Sequence, residues 1–188
     1  MTQGQRGYQN GAYRFHAIDA VTLQDRPGFP TTAEGQHADN DATRYFTGGG
    51  VLQRTSLNLI GGVVYAGFGG HCDMFNYTGW VVGMSASSGS FLTAYSTSAG
   101  TRAPPQDGTW NGGGGGCGIW QGGSVLSSDN AGRLFFATGN GYKTTVNGQS
   151  AASGRLHLDT LSECVVNMAI DPATGKVTQQ DYFEVRLS

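Results

Sequence analysis

The chain has 188 residues, enough for a domain with a real hydrophobic core, and a net charge of −2 with only 13% charged residues. That balance excludes a surface built for nucleic acid or anionic lipid, where clustered Lys and Arg must neutralise phosphates, and 11% aromatic residues exclude a disordered chain. Glycine is the outlier at 32 residues; with no Gly-X-Y period, and set among Thr, Ser, Val and aromatics, it points to an all-β protein with many tight turns.

The chain opens on a polar stretch, MTQGQRGYQNG, so no signal peptide is expected in it. No apolar run approaches the ~20 residues of a membrane span. From His16, HAIDAVTLQ reads as a short apolar strand ending in an Asp19 turn; residues 13–24 therefore predict the third strand, and part of the fourth, of a four-stranded unit. Residues 31–50 read as a long loop holding Asp39, Asn40, Asp41 and Arg44.

A complete unit follows. Leu52 to Leu59 predicts a first strand, and GVVYAGFGGH from Gly62 a second, with a period near two. A loop carries His71, Cys72, Asp73, Phe75, Asn76 and Tyr77, then VGMSASSGS from Val82 gives the third strand and Phe91 to Ser96 the fourth. The loop over 99–116 holds Asp107, Trp110 and the run Gly112 to Gly116. A second unit repeats the order: Ile119 to Ser127, GRLFFATGNG from Gly132, MAIDPATGK from Met168, and Val177 to Phe183. Its long loop over 142–163 contains Tyr142, His157, Asp159 and Glu163, with Asn140 just before it.

Four antiparallel strands, repeated, are the signature of propeller blades; a β-sandwich with coincidental similarity is the competing reading. The expected fold is thus all-β, a β-propeller of four-stranded antiparallel blades with about two and a half blades present. The expected organisation is a single partial propeller domain over 1–188: the end of one blade at 13–30, a second at 51–98, a third at 117–183, and long loops at 31–50, 99–116 and 142–163. Since propellers close with at least about four blades, a fragment is expected, or a protein whose remaining blades or partner chain cover its edges.

Antiparallel alternation places the second-to-third-strand loops and the connections between blades on one face, where the unusual residues gather; long irregular loops on a rigid scaffold are where sites sit. His71 and Asp73 suit a base and its orienter, or metal ligands, or a simple loop latch. Asp39 and Asp41 offer oxygen ligands for Ca²⁺, or Asx turns. Gly112 to Gly116 lacks the Gly-Lys-Ser/Thr ending of a phosphate loop and reads as backbone passing close to a strand or ligand. Trp80 and Trp120 read as packing between blades, with Trp120 also able to stack a flat cofactor or sugar. Asn76-Tyr77-Thr78 is a formal glycosylation sequon, and Ser124 lacks a nucleophile elbow, so no hydrolase triad is expected. Cys72, Cys117 and Cys164 form no CxxC pair; one disulfide with a free thiol, or three buried thiols, both stay open.

AIDPATGKV resembles the blade motif of PQQ-repeat propellers, and GFGGHCD, YTGWVVG, GIW and FATGNG together resemble an uncharacterised fungal and bacterial subgroup of PQQ-like proteins, over residues 13–183. The resemblance implies a superfamily that includes quinoprotein alcohol and sugar dehydrogenases, which use an Asp base, Ca²⁺ and pyrroloquinoline quinone, and an extracellular location in fungi. The adjacent cysteines that some of those enzymes carry beside the quinone are missing here. On this resemblance, Asp73 is the expected base with His71 as its partner. Trp120 and Asn140 would line the cofactor, and Asp73, Asp39 and Asp41 would meet a metal ion. The substrate would be an alcohol or sugar. The alternative is a non-catalytic propeller that binds a protein or carbohydrate, or serves as a scaffold. Neither reading needs nucleic acid.

Overall fold

Strands form here where β-branched and aromatic residues alternate between two buried faces, and Gly or Asx turns end them. The computed structural model of the chain describes residues 11–71, 77–106, 115–142, 145–146, 149–150 and 159–184. No α-helix occurs among these, and no helix is long and apolar enough to cross a membrane.

β1 (Arg14–Phe15) pairs antiparallel with β2 (Thr31–Thr32), and an Ile18–Asp25 bridge continues the hairpin. β3 (His37–Ala38) and β4 (Asp41–Tyr45) form a second hairpin inside 31–50, the stretch expected as one long loop. β5 (Val51–Gln53) and β6 (Asn58–Ile60) both pair with β7 (Val63–Gly70), followed by β8 (Trp80–Ser85) and β9 (Phe91–Ser96). The expected first strand, Leu52 to Leu59, is therefore split; in the gap, Ser56 bridges Val125 of the next unit in parallel. β10 (Ser127–Ser128), β11 (Arg133–Ala137), β14 (Cys164–Ile170) and β15 (Val177–Glu184) make the following sheet in that order, with β12 (Thr145–Val146) and β13 (Gln149–Ser150) a separate hairpin. The strand expected from Ile119 to Ser127 is cut down to β10 and an Ile119–Thr138 bridge. Left-handed backbone at Gln121, Gly122 and Gly123 interrupts it. The architecture is that of four-stranded antiparallel blades, as expected: the β1–β2 hairpin, a second blade on β5–β9, and a third on β10, β11, β14 and β15.

One turn recurs in all three. The amides of Asp19, Ser85 and Asp171 donate to the carbonyls of Gln24, Ser90 and Lys176 at 2.9, 2.8 and 2.9 Å. Leu23, Gly89 and Gly175 donate back to the first residue of each turn. Each of these three sits in the left-handed region, at φ 57, 71 and 72°, which favours glycine and makes Leu23 the costly one. The Oδ1 atoms of Asp19 and Asp171 each accept amides two and three residues on.

Alternation along each strand gives the second blade two buried faces. Tyr65, Val81 and Tyr95 pack against Leu134, Phe136, Val166 and Met168 of the third blade. Ala66, Phe68, Trp80, Val82 and Met84 pack with Phe46, Ala33 and Ala38 on the other side. Edge-to-face rings, Phe46 with Phe68 at 4.9 Å and with Trp80 at 5.8 Å, fill that second core. Each fully buried aromatic contributes about 2–3 kcal/mol by area alone.

Candidate functional site

The expected site residues divide into those the structure brings together and those it separates. Asp73, Cys72, Phe75 and Asn76 lie outside the described residues, as do Asp107, Trp110, Gly112 to Gly114 and His157. His71 is half-buried at the end of β7 and lines a cavity of about 230 Å³ together with Tyr13, Gly48, Val51 and Leu52. Tyr77 and Thr78, the rest of the sequon, are buried, and Thr78 Oγ1 lies 2.9 Å from Ser96 Oγ.

Asp39 and Asp41 are carried away from that loop face. The backbone of 39–41 runs along the outer edge of β9: the Asp39 amide donates to the Ala94 carbonyl at 2.7 Å, and the Asn40 side chain both donates to and accepts from the Ser96 backbone. Edge groups of β9 that would otherwise offer themselves to other chains are thereby covered. The Asp39 carboxylate accepts from Thr93 Oγ1 at 2.7 Å and the Ala94 amide at 3.2 Å. Its other oxygen meets Lys176 Nζ, in the third blade's turn, at 2.6 Å. Asp41 accepts from the Thr43 hydroxyl and amide and from the Gly100 amide. Burial works against the Asp41 charge, but these bonds, with Arg44 alongside, outweigh it and hold the carboxyl below its ordinary value. The two carboxylates face different partners, and among the described residues no group of three His, Cys, Asp or Glu could hold a metal ion. The Ca²⁺ expectation does not fit Asp39 and Asp41: both spend their lone pairs on protein donors along a sheet edge.

Trp120 and Asn140, by contrast, share the seam between the second and third blades on the loop face. A Cβ on Gly69, Gly118 or Gly139 would come within 3.1, 3.1 and 3.3 Å of the Trp120 indole, so three glycines form its cradle. The Arg54 guanidinium carbon stands 5.4 Å from the ring centroid, a cation–π contact. The Asn140 side chain is exposed, while its carbonyl accepts the Cys117 amide at 2.9 Å. Trp80 is wholly core.

The same seam explains the end of the glycine run. The Gly79 amide donates to the Gly116 carbonyl at 2.9 Å and the Gly116 amide to the Tyr77 carbonyl at 3.0 Å, and Thr97 Oγ1 reaches the Cys117 carbonyl at 2.8 Å. Gly115 and Gly116, at φ 90 and 65°, thread past Ser98, Tyr77 and Asn140; a Cβ on Gly115 would overlap the Ser98 side chain, and one on Gly116 would crowd the Asn140 carbonyl and Gly141 backbone. Cys117 and Cys164 are buried, and burial, then the nearby Cys164, pushes the Cys117 thiol up. Arg102 and Asp159 close the seam by an ion pair at 3.2 Å. Sequence reading missed Arg54, Thr93, Tyr95 and Gln179. Arg54 lies just past β5 and the other three are ordinary strand residues, and only their juxtaposition with neighbouring segments, as in the Tyr95 hydroxyl bond to Gln179 at 3.0 Å, gives them a role.

No family model matches the chain, and no curated protein matches it. Among solved structures it is similar to a quinohemoprotein alcohol dehydrogenase from Pseudomonas putida HK5, at 20% identity and a TM-score of 0.53. The likeness covers 91% of this chain and 24% of that one, so the chain spans about a quarter of the enzyme's length. At that identity the likeness shows the fold alone: antiparallel blades of a β-propeller.

Proposed function

We propose that this chain is a quinoprotein-dehydrogenase-like propeller module whose described blades act as a scaffold. The observation that supports this reading is the use to which the polar candidates are put. Asp39, Asp41, Asn40 and Asp159 bond neighbouring segments, and Trp120 fills a glycine cradle under Arg54. Side chains committed in this way build a rigid platform, and fold alone does not assign a reaction.

A second reading is an oxidoreductase acting on alcohols or sugars with a quinone cofactor. It draws on the structural neighbour being an alcohol dehydrogenase and on His71, which lines a cavity and precedes the Cys72-Asp73 pair in sequence. A carboxylate next to an imidazole is the chemistry that would take a proton from an alcohol. The two readings part in a dye-reduction assay with added PQQ, Ca²⁺ and a panel of primary alcohols and aldoses. The scaffold reading expects no turnover above the protein-free blank. Turnover that His71→Ala or Asp73→Ala abolishes, in protein that melts normally, would overturn it.

A further inference from the structure

Asn140 is followed by Gly141, and the pair lies just past β11 on the loop face of the second–third blade seam. The Asn140 side chain is exposed. Its backbone carbonyl accepts the Cys117 amide at 2.9 Å, and the Tyr142 amide donates to the Gly115 carbonyl at 2.9 Å. Gly141, opposite Gly116 in this antiparallel bridge, therefore turns its own amide away from the 115–117 segment. Among the described residues that amide donates to no acceptor. An unbonded backbone nitrogen, next to an exposed Asn side chain and with no Cβ of its own to hinder approach, is placed to react with that side chain.

We infer that Asn140 is a self-modification site. The Gly141 nitrogen adds to Asn140 Cγ, the Cγ–Nδ2 bond breaks, and the side-chain nitrogen leaves as ammonia, taking up the proton that the backbone nitrogen gives up. A five-membered succinimide closes. Water then opens it at either carbonyl, to aspartate or to isoaspartate, whose main chain runs through Cβ. Ammonia is exchanged for water, with no oxidant or reductant. Aspartate keeps the course of the chain, whereas isoaspartate lengthens the main chain by one carbon, about 1.5 Å. The seam has no room for that. A Cβ on Gly141 would stand 2.4 Å from the Gly115 carbonyl oxygen and 2.5 Å from Cys117 Sγ, and one on Gly116 would stand 2.9 Å from the Asn140 carbonyl oxygen. The lengthened backbone must give up its bonds to Cys117 and Gly115. On its other side the same segment is held by Tyr77 and Gly79 of the second blade, so those bonds are what joins the third blade to the second here. Deamidation of Asn140 thus opens the seam from the loop face, irreversibly and with age. The Ser162 hydroxyl, donating to the Gly141 carbonyl at 3.3 Å, is a further restraint on it.

Incubating the chain at mildly alkaline pH, folded and in urea, followed by tryptic mass mapping, tests this. The peptide LFFATGNGYK, cut after Arg133 and Lys143, carries Asn140 as its single side-chain amide, so a gain of about 1 Da reports that residue alone. Two backbone bonds must open before the ring can close, so the folded chain should react about ten- to a hundredfold more slowly than the chain in urea. Ser162→Ala should speed the folded reaction and leave the rate in urea unchanged. The modified fraction, separated by its added negative charge, should melt below Asn140→Asp, which has the same charge on an unlengthened chain. A folded chain that stays unmodified while the peptide in urea converts completely would overturn the inference. So would a modified fraction that melts with Asn140→Asp.

Discussion

Replacing Asp39 by Ala separates a stitch from a ligand. Its carboxylate holds the hydroxyl of Thr93, a residue with 0% exposure, at 2.7 Å and the Ala94 amide at 3.2 Å. Thr93 Oγ1 in turn accepts the Val177 amide at 3.3 Å, so the carboxylate reaches the third blade through Thr93 as well as through Lys176. A hydrogen bond to a charged group is worth about 1.5–3 kcal/mol, and an orphaned buried hydroxyl costs about 1–3 kcal/mol. The Lys176 pair is exposed to solvent and screened by salt. Asp39→Ala should therefore lower the unfolding free energy by about 3 kcal/mol. Asp39→Asn, which keeps an oxygen for Thr93, should cost about half of that. Urea unfolding at neutral pH, with the slope unchanged, measures both. An Asp39→Ala loss under about 0.5 kcal/mol would refute the stitch, since that is the size of a neutral surface change.

Three further outcomes follow from the geometry. Gly79→Ala puts a Cβ onto the Cys117 carbonyl and within 2.6 Å of Thr97 Oγ1, so it should destabilise by about 3 kcal/mol; near-wild-type melting would contradict the close seam. Leu23→Gly relieves a left-handed leucine that is 73% exposed and packs little, so a gain of about 0.5–1 kcal/mol is expected in denaturant melts, and a loss would mean that Leu23 is buried by a contact. The folded Asp41 carboxyl lies below its ordinary value of 3.8, so its contribution is present above that pH and lost as pH falls through the lower, folded value. Asp41→Asn should accordingly flatten the acid limb of stability measured by urea midpoint from pH 6 to 3, and an identical limb in both proteins would remove Asp41 from the account.

The blades were legible because their signals are local. The Asp turns, the period-two strands and the turn glycines each report on a few consecutive residues, and AIDPATGK and HAIDAVTLQ fold into the turns their sequences announce. The Asp39-Asn40-Asp41 cluster misled for a physical reason. Three oxygen-bearing side chains in a row look alike whether they gather round a cation or lie along a strand, and only the non-local edge of β9 chooses between them. Trp120 was visible as a packing residue, but its cradle needed Gly69 from the preceding blade, 51 residues away in sequence. The outer hairpin β3–β4 was missed because its strands are short and polar and take their stability from the sheet they border.

The central claim is that Asp39, Asp41 and Trp120 hold blades together and do not hold a cofactor. Titrating the chain with Ca²⁺ and PQQ, followed by tryptophan fluorescence and thermal melting, tests it most directly. The account expects no saturable quench and a flat melting temperature. A ligand at a hundred times its dissociation constant would add about 2.7 kcal/mol, a rise of about 5–10 °C for a chain of this size. A saturable quench with such a rise, lost in Asp39→Asn or Trp120→Phe, would contradict the account and place a quinone site in the seam.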